Sequence, residues 1–152
     1  MLKQALTHRS ASKKNNERLE FLGDALLNFI VARRLYERNK NDSEGDLSRL
    51  RAALVKGETL ADIGRELDVE PHIIVGPGEL RSGGARRSSV LANTVEALVG
   101  AVLLDGGFAA AETCVNRLMT ERLNTLPDAA SLKDSKTRLQ EWLQGYGLGL
   151  PQ

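Results

Sequence analysis

Aromatic residues are scarce in this chain, at 4% of 152 residues, so a platform on which single-stranded bases stack is not expected. Cysteine is scarcer still. Cys114 stands alone, cannot close an internal disulfide, and in a helical-looking stretch reads as a small buried or half-buried thiol. No apolar run reads as long enough to cross a membrane, and no basic start leads into an apolar stretch with a small-residue cleavage site. A reducing, cytoplasmic setting is therefore expected. An excess of charge of one sign is also lacking: 21 Lys and Arg against 20 Asp and Glu leave a net charge of +1, so the whole chain is no obvious polyanion binder. The two histidines, His8 and His72, are far apart, and neither lies near Cys114, which leaves zinc and cysteine catalysis without a motif. GPGELRSGG at 76–84 lacks the lysine-serine ending of a nucleotide-binding loop and follows no strand.

What is present is helical pattern. Hydrophobic residues make up 41% and charged residues 27%, enough for one compact domain plus a tail. Asn15 and Asn16 are N-cap candidates for a helix from Glu17 to about Arg38, with Leu19, Leu22, Leu26, Phe29, Ile30 and Leu35 as its apolar face. Ser43-Glu44-Gly45-Asp46 has capping-box spacing before Leu47, Leu50, Leu54 and Val55. Gly57 is expected to break or kink that helix before Leu60, Ile63 and Leu67. Residues 71–87, rich in Pro and Gly, read as irregular. Ser88 or Ser89 should cap the apolar helix VLANTVEALVGAVLLD, which stops at Gly106-Gly107, and another helix runs from about Ala109 to Leu123. Ile73-Ile74-Val75 is too short to build a sheet. SKTRLQEWLQGYG reads as one short helix after a linker-like stretch at 128–134. The fold class is all-α. Two local basic clusters, Lys3, Arg9, Lys13 and Lys14, and Arg81, Arg86 and Arg87, read either as phosphate contacts or as plain solvated surface.

Acids interrupt the two most apolar helices. In NERLEFLGDALLNFIV, Glu17, Glu20 and Asp24 fall at i, i+3 and i+7, within roughly 60° of one another on one helix face. Asn93 and Glu96 sit at i, i+3 inside the second helix. Isolated carboxylates among apolar neighbours rarely keep their charge without a cation or strong donors. Oxygen donors of this type suit magnesium, which takes carboxylates, waters and substrate phosphate. Pattern alone leaves a second reading open, in which these acids form surface pairs with Arg18, Arg33 or Arg34. Gly23 stands inside a helix, where glycine costs about 1 kcal/mol against alanine, so another backbone is expected to approach there.

NNERLEFLGDA closely resembles the signature segment of the bacterial ribonuclease III family. LTHRS at 6–10, GPGELRSGG at 76–84 and VLANTVEALVGAVLLD at 90–105 match three further blocks in the same order. KTRLQEWLQ resembles the link from that family's nuclease domain to its double-stranded-RNA-binding domain. The resemblance implies a catalytic domain over 1–127 with an incomplete N-terminal helix, and at 128–152 a linker to an RNA-binding domain absent from this chain. It also implies a helical endonuclease fold arranged as a two-fold symmetric homodimer. By position, Glu20, Asp24 and Glu96 match metal ligands, Asp24 and Glu96 being catalytic acids, and Asn93 occupies the slot of a fourth, usually acidic, ligand. Glu17 and Glu44 match acids lining the cleavage valley. Phe21 resembles an aromatic seated in the partner subunit, although the residue pattern alone allows a core phenylalanine. The implied activity is magnesium-dependent hydrolysis of double-stranded RNA, with manganese as substitute and no nucleotide cofactor. It leaves 5′-phosphate and 3′-hydroxyl ends with short 3′ overhangs, during processing of ribosomal, messenger and transfer RNA precursors. With asparagine at 93, a double-stranded-RNA-binding dimer with impaired cleavage is the alternative. Without the RNA-binding domain, affinity should be lowered and strongly salt-sensitive.

Overall fold

The computed structural model describes residues 1–127, 129–132, 143 and 145. Their main elements are six α-helices, α1 Leu2–Ala5, α2 Glu17–Arg38, α3 Glu44–Val55, α4 Gly57–Glu66, α5 Pro77–Arg81 and α6 Ser88–Asn124, with short 3-10 turns between α4 and α5, between α5 and α6, and after α6. The only extended pairing among the described residues is a parallel bridge between Thr7 and Ile74. Of the helix read over SKTRLQEWLQGYG only Leu143 and Gly145 are described, both helical; the rest of it and most of the 128–152 linker lie outside the described residues. Within that stretch Ala129–Leu132 make a 3-10 turn whose Ala129 and Leu132 pack on the core.

The helix starts follow local chemistry. Asn16 occupies the N-cap of α2 without using its side chain; Asn15 does the capping instead, its Oδ1 accepting from the Glu17 amide at 3.0 Å. Ser43 caps α3 by accepting from the Asp46 amide, as its spacing predicts. Lys56, extended at φ −61° and ψ 149°, separates α3 from α4, which places the break one residue before Gly57. At α6 the expected serine cap is absent: the helix begins at Ser88 with Arg87 at the N-cap and no side-chain bond. Gly107 has φ 78° and ψ 178°, a left-handed value that only glycine tolerates cheaply, and it breaks α6 into two arms. Residues 71–87 are more ordered than their Pro and Gly content implies, because α5 and two 3-10 turns fall there; turns this short leave no periodic signal.

α6 is the central element and packs chiefly against α2 and α4. Leu27, Ile30 and Leu35 of α2, Leu50 of α3, Leu60 and Ile63 of α4, and Val95, Val99 and Met119 of α6 are at most 1% exposed; each buried side chain contributes about 1.5–3 kcal/mol. By length and composition α6 could cross a membrane, contrary to the expectation that no run is long enough. It also carries core residues on both arms. Phe29 departs from the predicted apolar face: it is 55% exposed and meets Phe108 edge to face, with ring centroids 6.2 Å apart. Cys114 is half-buried, and burial pushes its thiol pKa up.

The α2–α6 crossing leaves no room for side chains. A Cβ on Gly23 would lie 1.8 Å from the Glu96 carbonyl oxygen, and one on Gly100 would lie 2.3 Å from that of Leu19. Gly23→Ala and Gly100→Ala should each destabilise by about 2 kcal/mol or more, because overpacking outweighs the helix-propensity gain. Gly57→Ala, with nothing within 4 Å, should leave the thermal midpoint unchanged or raised; equal midpoints for all three variants in thermal unfolding would refute the close crossing.

Candidate active site

The glycine crossing decides which acids meet. Because Gly23 rests on the Glu96 carbonyl and Gly100 on that of Leu19, Glu20 and Asp24 of α2 stand opposite Asn93 and Glu96 of α6. Glu96 is half-buried, and its pKa is pushed up to about 7, first by burial, then by the nearby charges of Asp24 and Glu20. Glu20 is also raised, first by burial and then by Glu17, against the lowering effects of a hydrogen bond from Asn93 and the charge of Arg9. Asp24 is exposed, and Asn28 donates its amide both to the Asp24 carboxylate at 2.8 Å and to its carbonyl at 3.0 Å.

The surface pairs expected with Arg18, Arg33 or Arg34 are found for none of these acids among the described residues. Glu17 meets Arg9 at 3.6 Å, whereas Arg33 is taken by Glu37 at 2.9 Å and Glu112 at 2.6 Å. Among the described residues, Glu20, Asp24 and Glu96 have no ion-pair partner. The site is a patch of carboxylates short of positive charge. No three His, Cys, Asp or Glu side chains among the described residues close into a ready-made metal cage. That openness suits a hard cation that keeps waters and shares substrate oxygens, and the donor set is all oxygen. The residues fit a divalent ion of the magnesium type, with Asn93 as a neutral oxygen donor.

Two other predicted residues lie elsewhere on the chain. Glu44, on the first turn of α3, lines a separate cleft with Phe29, Tyr36 and Arg51, and accepts from the Ser48 hydroxyl at 2.7 Å. Phe21 is 79% exposed on α2, which rules out a core phenylalanine within one chain. Of the basic loop, Arg86 is paired with Glu70 and Arg87 with Glu79, so solvated pairing accounts for two of its three arginines. Sequence reasoning missed Asn28, although its i+4 spacing from Asp24 is a readable signal. It also missed Arg9 as the neighbour of Glu17 and Glu20, a contact between segments that no periodicity announces.

Comparison with known proteins fits this geometry. A family model described as Ribonuclease-III-like matches residues 1–123. The chain is 57% identical over 153 residues to Ribonuclease 3 of Nitrosococcus oceani, covering 99% of this chain and 66% of that protein. It is 54% identical over 151 residues to Ribonuclease 3 of Photorhabdus laumondii, covering 99% and 67%. The chain thus spans about two thirds of the length of the curated relatives it matches. The nuclease domain of ribonuclease III from Campylobacter jejuni, described as structurally flexible in a region involved in dimer formation, superposes with a TM-score of 0.78 at 43% identity, over 81% of this chain and 87% of that one.

The raised Glu96 pKa has a consequence for stability. Between pH 4.5 and about 7 the folded chain keeps a proton on Glu96 that the unfolded chain has released, so this group's contribution falls as pH rises. In a chelator, wild-type protein should lose stability through that window relative to Glu96→Gln, and the gap should level off above it. Thermal midpoints across pH check this; a gap constant with pH would contradict it.

Proposed function

This chain belongs to the ribonuclease-III-like family, and we propose that it is an endoribonuclease hydrolysing double-stranded RNA with a divalent metal. The products in this reading carry 5′-phosphate and 3′-hydroxyl ends with short 3′ overhangs. The substrates are ribosomal, messenger and transfer RNA precursors in the cytoplasm. One observation carries the reading: Glu20, Asp24 and Glu96 share one patch, with Glu20 and Glu96 both raised from the ordinary carboxylate value, and among the described residues no cation forms an ion pair with any of the three. Magnesium is the ion of choice for such oxygens, with manganese as substitute. Glu20, Asp24 and Glu96 would hold it through carboxylate oxygens and Asn93 through its amide oxygen. The chemistry a bound cation supplies is Lewis-acidic, giving a more acidic water and an offset to charge growing on phosphate oxygens. Asp24 and Glu96 are the catalytic acids, orienting the attacking water and the scissile phosphate. No protein nucleophile is required.

The working unit in this reading is a homodimer with an isologous two-fold interface. Phe21 seats in the partner, and Glu17 and Glu44 line the valley between the two sites. The exposure of Phe21 supports this, since a large bare aromatic on a helix is more stable covered. Phe21→Ala should weaken self-association by tenfold or more (on the order of 1.4 kcal/mol or above), read by sedimentation; unchanged association would remove Phe21 from the interface.

Long duplex RNA incubated with and without magnesium tests the main reading: cleavage only with the metal, with 5′-phosphate ends, is expected. Duplex left intact and unshifted under both conditions would refute it. A second reading, an RNA-binding dimer that cuts poorly, is favoured by Asn93, which brings no charge and lies against Glu20. Asn93→Asp should raise cleavage at limiting magnesium several-fold if that missing charge limits the site. An unchanged rate would show that the asparagine suffices.

A further inference from the structure

His8 lines the same cleft as Glu17, Glu20 and Asn93, about 560 Å³ in volume, yet no step above uses it. Its position is fixed more tightly than a loop residue requires. Its backbone N–H donates to the Ile74 carbonyl at 2.9 Å, and its carbonyl accepts from the Ala11 amide at 3.0 Å. The Gly76 N–H donates to the Ser10 Oγ at 2.9 Å. That hydroxyl lies 2.8 Å from His8 Nδ1, and the Ser10 amide donates to the same nitrogen at 3.2 Å.

The tautomer follows from these contacts. A backbone N–H can only donate, so Nδ1 presents a lone pair, and the proton of the neutral ring sits on Nε2. The Ser10 hydroxyl, already an acceptor for Gly76, is free to donate to Nδ1 as well. Substituting Gly76 would disturb this clamp, since a Cβ there would lie 2.3 Å from the Ser10 carbonyl oxygen. Three of the four hydrogen-bonding groups of His8 are therefore occupied, and Nε2–H has no partner among the described residues. Within the cleft Arg9 pairs with Glu17 and Arg87 with Glu79, while Glu20 has no ion-pair partner among the described residues.

We propose that His8 is a substrate-contacting residue of this site, its Ser10-fixed Nε2–H donating to a backbone oxygen of the bound RNA beside the carboxylate patch. The acceptor is a phosphate oxygen or a 2′-hydroxyl, and the fixed ring loses little rotamer freedom in meeting it. This assignment rests on the ribonuclease reading above.

Two near-isosteric variants separate contact from scaffolding. Asparagine keeps an acceptor near the Nδ1 position for Ser10 and has nothing at Nε2; glutamine places an amide donor near Nε2 and loses the Nδ1 acceptor. In magnesium-dependent cleavage of duplex RNA, His8→Asn should raise KM about 3- to 10-fold, the range for a lost neutral hydrogen bond. Its thermal midpoint should stay near wild type, and His8→Gln should stay near wild-type KM. The salt dependence of KM for His8→Asn should keep the wild-type slope, because no charge is removed. Duplexes carrying 2′-deoxynucleotides around the cut identify the acceptor: an Asn effect that vanishes on them points to the 2′-hydroxyl, and one that persists points to phosphate. Wild-type KM in His8→Asn together with damage in His8→Gln would overturn the proposal in favour of a purely structural histidine. A slope reduced by about one unit would overturn the neutral donor. If the wild type itself fails to cut the RNA, the ribonuclease reading fails and this one with it.

Discussion

The contact of Gly23 with the Glu96 carbonyl, mirrored by Gly100 against Leu19, is the constraint on which the rest of the molecule depends. Two helices meet backbone to backbone only where both sequences give up a side chain. That concession sets the register of α2 against α6. The acids one turn from each glycine are then forced onto one patch. The buried leucines, isoleucines and valines around the crossing hold it closed. The site is thus built into the core packing, not hung on a loop, and rigid elements hold catalytic groups more closely than loops do.

That arrangement stores an electrostatic debt in the resting protein. Carboxylates at Glu20 and Glu96 are partly stripped of water beside other acids, and burying such charge unpaired is costly. The chain relieves it only in part. Asn93 offers Glu20 a hydrogen bond, Arg9 stands near Glu17 and Glu20, and Asn28 serves Asp24. Each of these is weaker than a divalent cation, so the resting site stays receptive to metal. Asparagine at 93 moderates the repulsion, since it adds no charge of its own beside Glu20.

Most of the helical framework was legible in the sequence. The bounds of α2, the Ser43 cap and the glycine break in α6 all follow from periodicity and local capping chemistry. Phe29 was misread because the apolar face of α2 is broader than its buried stripe, and its outer edge is left bare. The short turns at 71–87 and the Arg87 start of α6 were illegible for a different reason: they are set by contacts with other segments. The spacing of Glu17, Glu20 and Asp24, and of Asn93 and Glu96, was visible within each helix. That the two sets face each other was not, because only Gly23 hinted at the crossing. The tie of Ser10 to Gly76 joins distant parts of the chain, and that of Arg9 to Glu17 joins a loop to a helix; one-dimensional pattern carries no trace of either.

The central claim is that the α2–α6 crossing creates a patch in which Glu20, Asp24 and Glu96 have no ion-pair partner among the described residues. A magnesium titration of the thermal midpoint, without RNA, tests it most directly in wild type and Glu96→Gln. The account predicts a saturable rise in the wild type, equivalent to about 2.7 kcal/mol when the metal reaches roughly a hundred times its dissociation constant, and a rise in the variant that is much smaller or shifted to far higher metal. Identical titrations for the two proteins, or no rise in either, would contradict it.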